Sequence, residues 1–257
     1  MPRNFKITLA YDGHDFAGWQ IQPDQNTIQG ALVSAIEQLT GENTLPQGSG
    51  RTDAGVHALA QVASVSLASP IPTANLRKAL NDILPPVIRI LSVEDAPPDF
   101  HARKSAIAKT YEYRVYRGEV CPPFLARYVC HHPFPLDEDW MAESAGIVVG
   151  QHDFTSFAAV DPESRKEGIA VSNVRTIYSS TWRRNGAELI YTVRGNGFLH
   201  HMVRNLVGTF FMIGKGNLSS HDLRRILELR DRSAAAATAP ASGLVLVGVE
   251  YELEKSP

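Results

Sequence analysis

What most constrains the fold of this chain is a hydrophobic period that switches back and forth in a fixed order. "FKITLAY" places Phe5, Ile7, Leu9 and Tyr11 on alternate positions, the spacing of a half-buried strand. "NTIQGALVSAIEQLTG" then lays Ile28, Leu32, Ile36 and Leu39 along one helical stripe, with Asn26 or Thr27 as cap and Gly41 as stop. Residues 60–67 alternate again, and a short strand is expected near residues 44–47. "TANLRKALNDILPP" returns to helical spacing through Leu76, Leu80 and Ile83, with Thr73 as cap and proline as stop. Residues 87–93 read as a further strand.

The second half repeats this order. Tyr111, Tyr113 and Val115 share one strand face, residues 140–149 read as a helix capped by Asp137, and residues 169–182 and 189–194 read as strands. "LHHMVRNLVGTFFMIG" and "SSHDLRRILELRD" are helices, the second opening with Ser219 three residues before Asp222, and "GLVLVGVEYEL" closes as a strand. The order β-α-β-β-α-β is the ferredoxin-like pattern, and finding it twice predicts an α/β (α+β) chain. It would have two ferredoxin-like, RRM-like halves, 1–104 and 105–257, with largely antiparallel sheets and a cleft between them as the natural site. "AAAAT" is the one low-complexity patch and reads as a loop or frayed helix end.

Composition narrows the class. The chain has 257 residues, 44% of them apolar, enough for two cores of ordinary size. No apolar run reaches the roughly 18 residues of a membrane span, and the start lacks the apolar stretch of a signal peptide. Cys121 and Cys130 form no CxxC pair, so reduced thiols and a cytoplasmic location are expected. The net charge of −2 does not announce a nucleic-acid binder, yet basic residues gather locally, as in Arg103, Lys104 and Lys109. No HExxH and no zinc spacing of Cys and His is present, and His131–His132 and His200–His201 are adjacent pairs whose side chains should diverge. No catalytic metal is expected.

"GSGRTDAGVHA" poses the functional question. Gly48 and Gly50 begin a dinucleotide fingerprint, but its third glycine is Asp53, a carboxylate that would repel a phosphate. Gly50 and Gly55 have Walker spacing, but Val56–His57 replace the lysine and hydroxyl. Two readings remain. Asp53 hydrogen-bonds its own turn, or the glycines let backbone approach a ligand while one carboxylate points into a cleft, with Arg51 as a phosphate-holding cation.

The same residues resemble a known family. "GRTDAGVHA" is similar to the signature of the tRNA pseudouridine synthase A family, whose motif aspartate is catalytic; Asp53 matches it. "KTYEYRVY" resembles the strand whose tyrosine contacts the target base, which implies that role for Tyr111. "FLHHMVRNLVG" resembles the segment whose arginine pairs with the aspartate, here Arg204. "TAPASGLVL" resembles the segment whose leucine lines the base pocket, here Leu244, followed by Val245 where relatives often have an aromatic. The similarity runs from Ile7 to about Tyr251.

The resemblance implies conversion of uridine to pseudouridine at positions 38–40 of the tRNA anticodon stem-loop, by a homodimer without cofactor. The N1–C1′ bond breaks and C5 bonds to C1′, with no redox change. Breaking a glycosidic bond asks for a carboxylate near a developing oxocarbenium ion, and a paired arginine keeps that carboxylate ionised. Attack on C1′, attack on the uracil ring and abstraction at C2′ are all open. The target uridine must swing out of its stem, and Tyr111 offers an aromatic face to it. On a helical wheel Arg204 lies about 90° from the stripe of Val203, Leu206, Val207, Phe210 and Phe211. Read without the resemblance, Arg204 is a surface cation and Tyr111 a core aromatic. Arg51, Arg103, Lys104, Lys109 and Arg114 are candidates to track the RNA backbone; His57 and His201 either touch RNA or pack as polar core. Two rival readings stand beside it: a catalytically inert tRNA-binding chaperone of the same α/β type, and a metabolic enzyme holding a free nucleotide with the glycine loop as its phosphate site.

Overall fold

The structure is a computed structural model that describes residues 2–159 and 172–252. In chain order the elements are β1 (Arg3–Tyr11), α1 (Ile28–Thr40), β2 (Gln47–Gly48), β3 (His57–Leu67), α2 (Thr73–Ile83), β4 (Ile88–Ala96), β5 (Ala106–Tyr116), β6 (Cys130–His131), α3 (Glu138–Ala145), β7 (Gly150–Asp153), β8 (Val174–Asn185), β9 (Glu188–Gly195), α4 (Met202–Gly214), α5 (Ser220–Leu229) and β10 (Leu244–Tyr251). The α/β class read from the sequence holds. The strand expected to begin at residue 169 starts outside the described residues and is β8 from Val174 on.

The chain divides into two compact units. The first is Met1–Ile107 together with the chain from Val245 on, and the second is Ala108–Leu244. The sequence reading gave everything after residue 104 to the second half. The difference lies in β10, which runs parallel to β3 with Val245 opposite His57 and Leu246 opposite Ala58. That pairing joins residues far apart in the sequence and leaves no local signal.

In the first unit the strands lie in the order β4-β1-β3-β10, and β2 adds to β3. β1 pairs antiparallel with both β3 and β4. Phe5, Ile7, Leu9 and Tyr11 are all buried, as the alternation requires. Buried Ile28, Leu32 and Ile36 of α1 and Leu76 and Leu80 of α2 complete this core. Thr27 caps α1 by accepting the Gly30 amide, and Gly41 closes it at φ 74°. α2 instead starts after Pro72, with Thr73 as its first residue and no side-chain cap. Proline's fixed φ supplies the entry that the threonine cap was expected to give.

In the second unit the order is β5-β9-β8-β7, with β6 alongside β5. The inward row of β5, Tyr111, Tyr113 and Val115, faces Val193, Tyr191 and Leu189 of β9 in register. Phe210 of α4 meets Tyr191 at 5.2 Å and Trp182 at 6.0 Å between ring centroids, and Phe211 meets Tyr113 edge-on at 6.5 Å. Full burial of a side chain such as Phe210 is worth about 2–3 kcal/mol, so these rings seat α4 on the sheet. Asp137 caps α3 through the Trp140 amide, and Ser219 and Asp222 form the capping box of α5. Cys121 and Cys130 are unpaired thiols. Among the described residues no helix is long and apolar enough to cross a membrane.

Candidate active site

Asp53 sits in the loop between β2 and β3, half-buried. Its carbonyl accepts the Val56 amide at 3.1 Å, closing a turn whose third residue, Gly55, has φ 77°. A positive φ at that position is the type II geometry that favours glycine. The residue before it is held too. The Thr52 carbonyl accepts the Trp19 amide at 3.0 Å, and its hydroxyl lies 2.8 Å from the Tyr11 hydroxyl. Gly18 brings the incoming chain so close that a Cβ there would stand 2.5 Å from the Thr52 carbonyl oxygen. At the far end a Cβ on Gly13 would stand 1.9 Å from the Val56 carbonyl oxygen. Glycine is needed at both points because backbone lies against backbone.

Arg51 is exposed on the same loop. His57 is 6% exposed at the start of β3, with Nδ1 3.1 Å from both the Gly13 amide and an Asp12 carboxylate oxygen. Its burial favours the polar-packing reading over RNA contact. Arg103 and Lys104 are exposed on the turn after β4. That turn is anchored by buried Ala102, whose amide donates to the Ser64 hydroxyl at 3.1 Å and whose carbonyl accepts the Tyr251 hydroxyl at 2.8 Å.

The second unit carries the other candidates. Tyr111 is 7% exposed and meets Phe198 edge-on, with 5.1 Å between centroids. Its neighbour in the row, Tyr113, is wholly buried and donates to the Pro240 carbonyl at 2.8 Å. Burial drives the Tyr113 hydroxyl far above the ordinary tyrosine range. Lys109 is half-buried on β5. Arg114 grips Glu188 with two bonds of 2.7 and 2.9 Å. A guanidinium fork already filled by a carboxylate is ill placed to hold phosphate, so this contact weakens Arg114 as an RNA candidate.

Arg204 is half-buried on α4, as the wheel predicts, while Val203, Leu206, Val207, Phe210 and Phe211 are buried. Its Nε donates to the Ala239 carbonyl at 2.8 Å, and the Ala239 amide returns a bond to the Arg204 carbonyl at 3.2 Å. Leu244, 6% exposed, follows five residues later. His201 precedes α4 at φ 60°, a left-handed residue. That turn brings the His200 and His201 rings to 4.0 Å between centroids, so the expected divergence does not occur. Adjacent side chains diverge in regular backbone only.

The sequence reading missed what holds the segment before Leu244. Asn205 is fully buried; its Oδ1 accepts from Thr238 at 2.7 Å and from Arg232 at 3.0 Å, and its Nδ2 donates to the Phe157 carbonyl at 2.7 Å. Thr209, one turn on, accepts the Ala236 amide at 3.3 Å. "AAAAT" is therefore a loop, one of the two forms expected of it, and it lies as a strap across α4. The signal was present: Asn205 and Thr209 are polar residues four apart in a helix otherwise apolar on that side.

The comparisons with known proteins agree with the motifs. The family described as tRNA pseudouridine synthase matches residues 7–103 and 145–252. Over 97% of this chain and 100% of its own length, "tRNA pseudouridine synthase A" of Solibacter usitatus is 53% identical. The protein of the same name from Lacticaseibacillus casei is 47% identical over 96% of this chain and 99% of its own, and that of Brevibacillus brevis 44% over 97% and 100%. With matches on both sides of the Asp53 loop and through α4 to β10, the chain belongs to the tRNA pseudouridine synthase family.

Proposed function

We propose that the chain isomerises uridine to pseudouridine at positions 38–40 of the tRNA anticodon stem-loop, with Asp53 as the catalytic carboxylate. The coarser part rests on the family, whose members are isomerases that make pseudouridine in tRNA. The finer part rests on one observation above the rest: a half-buried carboxylate on a backbone pinned at Thr52, Asp53 and Val56. A reacting group held this way meets the geometric demand of catalysis, where about 1 Å of misplacement can cost about 10²-fold.

In this reading the ionised Asp53 faces the developing charge at the sugar as the N1–C1′ bond breaks. The uracil turns, C5 bonds to C1′, the hydrogen on C5 leaves as a proton, and N1, freed of its sugar, takes one up. Atoms and electrons balance without a redox partner. Arg204 supports the carboxylate electrostatically. Tyr111 and Leu244 replace the stacking that the everted uridine loses. Arg51, Arg103 and Lys104, exposed cations of the first unit, meet phosphates, which makes binding fall steeply with salt. The working species is a homodimer, which sedimentation tests as twice the chain mass.

Release of tritium from tRNA carrying [5-³H]uridine in the anticodon arm tests the reading, because C5–C1′ bond formation expels that hydrogen. Wild-type protein releases it, and Asp53→Asn, which keeps the shape and removes the charge, releases none while binding the same tRNA. A wild-type protein that binds tRNA and releases nothing is an inert binder of the same fold. A mutant that folds but no longer binds makes Asp53 an RNA-positioning group.

A further inference from the structure

Beneath the Asp53 loop, within the first unit, runs a line of buried polar side chains. Ser49 and Gln61 are 0% exposed, Tyr11 4% and Thr52 6%. Burying such groups unpaired costs several kcal/mol each, and here each finds a partner among the others.

The partners set the course of the line. Gln61 Oε1 accepts the Ser49 hydroxyl at 2.6 Å and the Val62 amide at 3.1 Å. Its Nε2 therefore faces the Gly50 carbonyl at 2.9 Å and, at a long 3.5 Å, the Tyr11 oxygen. The Tyr11 and Thr52 hydroxyls share a hydrogen bond of 2.8 Å in which either oxygen can donate. The bonds thus link Gln61 through Tyr11 to Thr52, the residue before Asp53. Burial pushes the Tyr11 hydroxyl up to about 12, so it stays neutral and the bonds persist around neutral pH.

An apolar core would serve stability as well. Replacing both partners of a buried hydrogen bond by apolar groups of the same shape is nearly neutral. What the line adds is direction: Ser49, Gly50 and Thr52, three points on the loop, are fixed against β1 and β3 by bonds that apolar contacts cannot aim. We propose that Tyr11, Thr52 and Gln61 are positioning residues that set the pitch of the Thr52–Asp53 backbone and so aim the carboxylate at the nucleoside. The inference rests on the reading of Asp53 as the catalytic group.

The test is Tyr11→Phe/Thr52→Val, which deletes both oxygens of one bond and keeps the shape. Tritium release gives kcat and KM, and filter binding gives the Kd for the tRNA transcript. The expected result is kcat lower by about 10²-fold, the order set by a small misplacement, with Tm within a few degrees of wild type. KM and Kd stay within about threefold, which assigns the loss to the transition state. Thr52→Ser, which keeps the hydroxyl, holds kcat within about threefold of wild type. A double variant with kcat within about threefold, or Thr52→Ser falling as far as the double variant, overturns the proposal. Should the double variant not fold, Tyr11→Phe alone decides: removal of one oxygen with kcat unchanged overturns it. No release by wild-type protein defeats the assigned function instead, whereas an active wild type with unimpaired variants defeats only the positioning role.

Discussion

Two irregular segments, one in each compact unit, can be set side by side. The Asp53 loop is written in turn residues, Gly, Ser, Thr and Asp, while the strap over α4 is written largely in alanine. Both are ordered in the same way. Each has a glycine that admits backbone against backbone: Gly13 beneath Val56, and Gly208 of α4 beneath the Ala237 carbonyl, 2.0 Å from where a Cβ would stand. Each hangs on one buried amide side chain, Gln61 or Asn205. The difference is where the instruction is stored. The loop carries much of its own in the residues that bend it. The strap carries almost none, and its order is imposed by the helix below.

Filling the two glycines should break the comparison most sharply. Alanine at either position drives a methyl into a carbonyl, and such overpacking costs up to about 3 kcal/mol when backbone must shift. Gly13→Ala should show that loss in full by urea unfolding. Gly208 lies inside a helix, where alanine regains about 1 kcal/mol of propensity, so Gly208→Ala should lose less. Equal losses would mean that the strap is pinned harder than the loop.

The amides give the next effect. Gln61→Leu strands the Val62 amide and the Gly50 carbonyl, and buried groups stranded this way cost about 1–3 kcal/mol each before relaxation. Asn205→Leu orphans the Phe157 carbonyl, but Thr238 and Arg232 are half-buried and can turn toward water. A net loss of about 3 kcal/mol for the first and about 2 kcal/mol for the second follows. If Asn205→Leu also lowers tritium release at a temperature where the variant is still fully folded, the strap positions Arg204 through Ala239 as well as stabilising α4.

Legibility followed the same division. Thr27, Gly41, Asp137 and the Ser219–Asp222 box were readable because a cap is a local exchange of hydrogen bonds within four residues. The lie of the strap across α4, the seat of β10 beside β3 and the left-handed His201 were not, since each depends on residues far away in sequence. Asp53 and its motif stood out by type. Tyr11, Thr52 and Gln61 did not, because a tyrosine at the end of a strand and a glutamine within one look like any half-buried position until the bonds between them are seen.

The smallest effect is one of pH, and it separates the units again. The line under the Asp53 loop has no group that titrates near neutrality, since Tyr11 is pushed up to about 12 and its partners are neutral. The second unit has His132, packed against Phe211 at 5.1 Å and bonded at Nδ1 by Arg117 at 3.0 Å. Burial, with the Lys215 and Arg117 charges beside it, holds His132 below the ordinary histidine range. An Nδ1 that accepts from Arg117 leaves the proton on Nε2, so the folded ring is neutral. The unfolded ring takes up its second proton near its usual pKa, about 6.5. Below that pH the unfolded state binds more protons than the folded one, so stability is full above about 6.5 and declines as pH falls toward the lowered folded value. Wild-type Tm should therefore drop between pH 7.5 and about 5.5, within the histidine titration range. His132→Asn, whose carbonyl oxygen can accept from Arg117 without titrating, should flatten that slope while Tyr11→Phe leaves it unchanged. A slope that survives His132→Asn would place the acid sensitivity elsewhere and remove this contrast between the units.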